Sequence, residues 1–230
     1  MSTTNTNNNT NDGSDIDGHV IHSIIIMGVS GSGKSTIASL LSKRLTDLLA
    51  VAGDGGDRGD DVQERLEINK QAKQCKFIDG DDLHPRNNII KMKSGQALND
   101  DDRAPWLARI NDVAYSLASK NELGIVVSSA LKSRYRDDIR RDNRGMVFIY
   151  LKGSYDSILA RLTARSNHYF GATLLTSQFS ALEEPLNNNE PDVITIDTDS
   201  IIGIDQIVSQ CIKQLNQYCI NYYKNIKKQE

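Results

Sequence analysis

Apolar positions along the chain fall into short β-branched runs separated by longer stretches at helical spacing. The first run, His22–Met27, has the length of a buried strand. Thr36–Leu49 follows with Ile37, Leu40, Leu41, Leu45, Leu48 and Leu49 on one helical stripe. A second short strand, Lys76–Ile78, runs into Asp79-Gly80-Asp81-Asp82. A short helix is expected through Ile89, Ile90 and Met92, ended by Ser94-Gly95. A longer helix carries Trp106, Leu107, Ile110, Val113, Ala114 and Leu117, with an Asp N-cap and Pro105 in its first turn. Gly124–Ser128 and Met146–Leu151 read as strands three and four, and Asp192–Asp197 as strand five. Helices are expected at Ser154–Arg165, at Leu174–Leu182 and from Ile204 to about Lys224. Strands alternating with helices predict a three-layer α/β sandwich around a parallel sheet.

Composition adds boundaries to this picture. Residues 1–18 are rich in Asn and Thr and are expected to be a disordered tail, with a single domain over 19–230. Val51 to about Gln74 contains a Gly/Asp linker and polar sequence, read as a surface insertion. The net charge of −3 shows no basic excess, so no nucleic-acid partner is expected. The three cysteines form no C-x-x-C pair, and the four histidines lack metal-ligand spacing. No apolar run reaches membrane-spanning length, and the first twenty residues lack the apolar core of a secretory signal. A reduced, cytoplasmic protein is the expectation.

The chemistry concentrates in one loop. Gly28-Val29-Ser30-Gly31-Ser32-Gly33-Lys34-Ser35 fits G-x-x-x-x-G-K-[ST], placed between a strand and a helix as a phosphate-binding loop requires. Its backbone N–H groups, continuing to Thr36, would cradle a polyphosphate at a helix N-terminus. Lys34 can reach the β- and γ-phosphates, and the Ser35 hydroxyl can ligate Mg²⁺. ATP or GTP binding follows. A regulatory GTPase would need N-K-x-D, and Asn69-Lys70-Gln71-Ala72 lacks the Asp.

Other polar clusters fall at strand ends, where open parallel sheets bind ligands. Asp79 and Asp81 would point to the same side if both stayed extended. Lys132, Arg136 and Arg140 recur every four residues and make one basic helical face, either solvated or turned to an anionic substrate. A guanidinium such as that of Arg136 can grip a carboxylate bidentately. Arg161 and Arg165 lie one turn apart near a helix C-terminus. They could complement its dipole or neutralise a transferring phosphoryl group.

These stretches together resemble the small phosphate-loop gluconokinases. The resemblance covers about His22 to Asp197. It rests on M-G-V-S-G-S-G-K-S (27–35), D-G-D-D-L-H-P-R-N-N-I-x-K-M-x-S-G (79–95), L-N-D-D-D-R-x-P-W-L (98–107), S-A-L-K-x-x-Y-R-D (129–137), F-I-Y-L-K-G (148–153), R-L-x-x-R (161–165) and Q-F-x-x-L-x-E-P (178–185). It implies a sheet order of 2-3-1-4-5, a lid near 165–185, and phosphoryl transfer from ATP to the C6 hydroxyl of D-gluconate with Mg²⁺. It permits a homodimer. In that reading Lys34 bridges the phosphates, Ser35 and Asp79 hold the metal, and Asp81 meets the reacting hydroxyl. Arg136, with Lys132 or Arg86 as alternatives, meets the carboxylate, His84 bonds a polyol hydroxyl, and Arg161 and Arg165 close over the phosphates. Trp106 is read as packing.

Two features depart from the family pattern: the longer link at 51–74, and Ser166-Asn167-His168 where the lid usually has Gly before His. A kinase of another small hydroxy acid, such as a shikimate-kinase-like enzyme, and a catalytically inactive nucleotide-binding regulator are the competing readings.

Overall fold

Five parallel strands form the centre, in the order β2-β3-β1-β4-β5. They are β1 (Ser23–Met27), β2 (Cys75–Asp79), β3 (Leu123–Val127), β4 (Met146–Lys152) and β5 (Val193–Asp197). The computed structural model describes residues 20–53, 68–69, 71–165, 170–186, 189–201 and 203–226. The Asn/Thr-rich tail, most of the Gly/Asp linker and residues 166–169 of the expected lid lie outside these residues.

Both faces of the sheet are apolar, which is why its strands read as continuous runs rather than alternations. Ile24, Ile26, Ile125, Val127, Val147, Ile149, Leu151, Ile194 and Ile196 turn to one face. There they share a core with α1 (Lys34–Gly53) and α7 (Ile204–Ile226). Ile25, Met27, Val126, Phe148 and Tyr150 turn to the other and pack with α3 (Asp100–Ser119) and α4 (Ser133–Arg140). Two-residue alternation thus sorts one run of isoleucines into two cores. α2 (Arg86–Lys93), α5 (Tyr155–Arg165) and α6 (Phe170–Ala181) complete the helices. α5 and α6 form a smaller core with Val29 and Leu131 through Ile158 and Leu175.

Three local expectations are corrected. The cap of α3 is Asn99, not an Asp: it accepts from the Asp102 amide while Asp102 accepts from the Asn99 amide, a reciprocal capping box. Pro105 lies in the second turn rather than the first. The end of the 51–74 insertion is also not all surface. Ile68 and Asn69 are buried, Ala72 is nearly so, and Ile21 N–H donates to Ile68 O (3.1 Å). Asn69 Oδ1 accepts from the amides of Gln71 and Ala72, closing a turn that leads towards β2.

Candidate active site

The phosphate loop leaves β1 at Met27 and enters α1 at Lys34. Gly28 N–H donates to Ser129 O at the end of β3 (3.3 Å), and Ser32 N–H donates back to Val29 O (3.2 Å). Gly31 has φ +82, and a Cβ there would lie 2.6 Å from Leu162 Cγ of α5. Only glycine serves both demands. Lys34 Nζ donates to Val29 O across the loop (2.9 Å). Burial pushes its pKa down to about 8, against the pull of Asp81 and Asp79. Ser35 and Thr36 are exposed in the first turn of α1.

Opposite the loop, β2 ends and the chain turns at once into a 3₁₀ turn, Gly80–Leu83. Asp79 stays extended but Asp81 does not. Asp79 caps the turn, its Oδ1 accepting from Asp81 N–H (3.1 Å), while Asp81 faces the cleft. The turn passes so close to β3 that a Cβ on Gly80 would lie 2.0 Å from Val127 O. From the far side α3 holds it: Trp106 Nε1 donates to Gly80 O (2.6 Å) and Arg109 to Leu83 O (3.0 Å).

His84 stacks on Trp106, ring centroids 4.5 Å apart and 15° from parallel. The Trp106 indole is 1% exposed, so the packing reading holds, and its edge also lines the cleft. Asn88 Nδ2 donates to Asp102 O (2.7 Å), which fixes the amide's orientation, and lies 3.3 Å from His84 Nδ1. Nδ1 is then an acceptor and the ring proton sits on Nε2. Burial lowers the His84 pKa; Asp81 opposes the shift and Arg103 adds to it. The ring is a neutral donor near pH 7.

Between these walls lies a cleft of about 830 Å³. Ser30, Gly31, Gly33, Lys34, Ser35 and Thr36 line one side; Asp81, His84, Asp100, Arg103 and Lys132 line the other. Lys132 Nζ contacts both Asp100 oxygens (2.9 and 3.2 Å), and Asp100 also pairs with Arg134 and accepts from Tyr135 OH. Gln178 of α6 reaches across, its Oε1 accepting from Ser30 N–H at 2.5 Å. Ser128 Oγ, on the cleft wall, and Ser32 Oγ are buried without a hydrogen-bond partner among the described residues.

Several expected residues lie elsewhere. Arg136 is 1% exposed. Its Nε and Nη2 clamp Glu190 (2.6 and 2.5 Å), and Nη1 donates to the carbonyls of Ala130 and Leu131. Four of its five N–H donors are taken, and the side chain is buried away from the cleft lining, so it does not present itself to a substrate carboxylate. Arg140 likewise serves Glu190, Asp192 and Asp137, so Arg136 and Arg140 clamp α4 to the segment that leads into β5, and of the basic face only Lys132 reaches the cleft. Arg86 is exposed and does not line the cleft. Arg161 donates to Thr198 Oγ1 and O (3.0 and 2.9 Å), tying α5 to the end of β5. The side chain of Arg165 and all of His168 fall outside the described residues.

Arg103, Ser128 and Gln178 were not picked out from sequence. Arg103 had one signal, a lone cation closing the acidic run Asp100-Asp101-Asp102. Gln178 stood at the head of the Q-F-x-x-L-x-E-P run, but its partner Ser30 is distant in the chain and gave it no role.

A strand–loop–helix phosphate cradle facing a carboxylate-bearing turn, on a 2-3-1-4-5 sheet, defines a phosphate-loop kinase fold. A family model described as AAA domain matches residues 24–170. The thermoresistant gluconokinase of Escherichia coli K12 is 41% identical over 199 residues, covering 86% of this chain and 96% of that protein. The thermosensitive gluconokinase of the same strain is 42% identical, covering 82% and 84%. The crystal structure of a gluconokinase from Sinorhizobium meliloti 1021 superposes with a TM-score of 0.67 at 32% identity, covering 88% of this chain and 96% of that one. The chain belongs to the gluconokinase family.

Proposed function

We propose that this protein transfers the γ-phosphoryl group of ATP to the C6 hydroxyl of D-gluconate, giving 6-phospho-D-gluconate and ADP. The observation that carries the reading is the single cleft in which the phosphate loop meets Asp81 and His84. The donors around Lys34 suit Mg²⁺: the Ser35 hydroxyl and the carboxylates of Asp79 and Asp81 are all oxygen ligands, too few to cage a metal without a nucleotide. Among the described residues no cluster of three or more His, Cys, Asp or Glu could hold an ion alone. Ser35 and Asp79 would hold the Mg²⁺, whose charge would offset that of the polyphosphate.

The chain's own groups then have distinct tasks. Amides from Gly31 to Ser35 hold the β-phosphate at the N-terminus of α1. Lys34, already desolvated, regains its full charge beside the phosphates and stabilises charge moving onto the bridging oxygen. Asp81 orients the attacking hydroxyl and accepts its proton late, since a loose transition state needs no strong base. His84 Nε2–H donates to a polyol hydroxyl. For Ser30 N–H to face a phosphate, Gln178 must withdraw, which links occupancy of the loop to movement of α6. Arg161 could reach the phosphates only after giving up Thr198. No helix among the described residues is long and apolar enough to cross a membrane, and the cytoplasm is the proposed location.

A coupled ADP-release assay with ATP and Mg²⁺ tests the reading across D-gluconate, other aldonates, shikimate and nucleoside monophosphates. Turnover selective for D-gluconate is expected. Selectivity for shikimate or a monophosphate would replace the acceptor; nucleotide binding with no turnover on any acceptor would favour the inactive regulator.

A further inference from the structure

An acceptor carrying a carboxylate needs a cation in the cleft, and three cations line it: Lys34, Arg103 and Lys132. Lys34 belongs to the phosphate loop. Lys132 is held by both oxygens of Asp100, which Arg134 and Tyr135 also engage. The Arg103 side chain has no hydrogen bond or ion pair among the described residues, although it is partly buried. The neighbouring carboxylate, Asp102, accepts at Oδ2 from the Asn99 amide and from Lys91; the Arg103 charge acts on it without a hydrogen bond or ion pair. Arg103 also sits four residues into α3, where the positive end of the helix dipole disfavours a cation. A partly buried guanidinium in that position has a carboxylate nearby but lacks the hydrogen-bonded acceptor that such groups normally have.

Its placement fits a linear acceptor. Asp81 and Arg103 act on His84 in opposite electrostatic senses, so both charges lie within range of the ring. Asp81 faces Lys34 and the phosphate loop. Arg103 lines the same cleft as Asp81 and His84 but carries none of the phosphate-loop contacts, which leaves it available to a part of the acceptor other than the reacting hydroxyl.

We propose that Arg103, rather than Arg136, reads the acceptor's carboxylate and sets the preference of the cleft for acid sugars. This rests on the kinase reading above and deepens it. The carboxylate accepts in-plane hydrogen bonds from the guanidinium, which Lys cannot reproduce bidentately. Arg103 is a specificity residue: it binds the far end of the acceptor and does not touch the reacting oxygen.

The test compares D-gluconate with D-glucitol, which carries a hydroxymethyl group in place of the carboxylate. Both acceptors are measured by kcat/KM, or by competitive inhibition where turnover is too slow, in wild type, Arg103→Ala, Arg103→Lys and Lys132→Ala. Arg103→Ala is expected to raise the KM for gluconate roughly 30- to 100-fold, the loss of a charge-assisted pair. It should leave the KM for ATP and the values for glucitol within about threefold, so that discrimination collapses. Arg103→Lys should fall between, which also guards against a folding defect in the alanine variant. Equal losses on both acceptors, or a collapse of discrimination in Lys132→Ala alone, would overturn the proposal. Failure of the wild type to act on D-gluconate would overturn the kinase reading itself, and this inference with it.

Discussion

Arg136 and Arg103 sit on α4 and α3, which pack on the same face of the sheet, and have opposite circumstances. Arg136 is buried, with four of its five donors met by Glu190 and two carbonyls. Burial alone would push the Glu190 carboxyl up, but hydrogen bonds from Arg136 and Arg140 outweigh it and hold the group below its usual range. Arg103 stands on the cleft wall with its side chain unpaired among the described residues. A guanidinium holds the fold when the fold supplies its acceptors, and is free for a ligand when it does not. Residue type and helical spacing do not distinguish the two cases.

Breaking the buried pair should give the largest effect. Arg136→Met leaves Glu190 buried without its main partner and is expected to cost about 3–5 kcal/mol of stability. Adding Glu190→Leu should recover most of that loss. Urea denaturation of the two variants measures it. Activity per folded molecule and the KM for gluconate should stay near wild type; a selective rise in that KM would return Arg136 to the cleft.

Lys34→Met should lower kcat about 10²–10³-fold, the range for one charge-stabilising donor. It also removes a desolvated charge, so the unliganded protein should melt higher than wild type. A lower melting temperature would mean that the bond to Val29 O outweighs the burial cost.

The shifted pKa of Lys34 gives a third expectation. In the free enzyme the ammonium is lost above about pH 8. Therefore kcat/KM for ATP should fall about tenfold per pH unit above that point. kcat should hold to higher pH, because bound phosphates raise the pKa again. For stability the sign is opposite: between pH 8 and the ordinary value of 10.5, the unfolded chain holds a proton that the folded one has released. Lys34 therefore contributes increasing stability to the unliganded protein across that window.

The smallest effect is expected at the cap that positions α3. Asn99→Ala should cost about 1 kcal/mol, a drop of roughly 2–4 °C in melting temperature for a chain of this size. Arg103 is the fourth residue of that helix, so a modest rise in the KM for gluconate should accompany it, with the KM for ATP unchanged.

Much of this protein was legible in order along the chain. The sheet and its flanking helices follow from short β-branched runs alternating with helical stripes, because burial on both faces demands such runs. The phosphate loop was legible because its function depends on the local backbone: Gly31 and Lys34 act through the loop they belong to. Asp81 and His84 could be placed at a strand end for the same reason, although the break of β2 into a 3₁₀ turn depended on the close pass of Gly80 under Val127. What the tertiary structure alone decided were the pairings between remote residues. Glu190, 54 positions from Arg136, took that arginine out of the cleft. Asp100 took up Lys132, Thr198 took up Arg161, and Gln178 reached Ser30. A charged side chain's task is set by which acceptors surround it, and those acceptors are brought together only when the chain has folded.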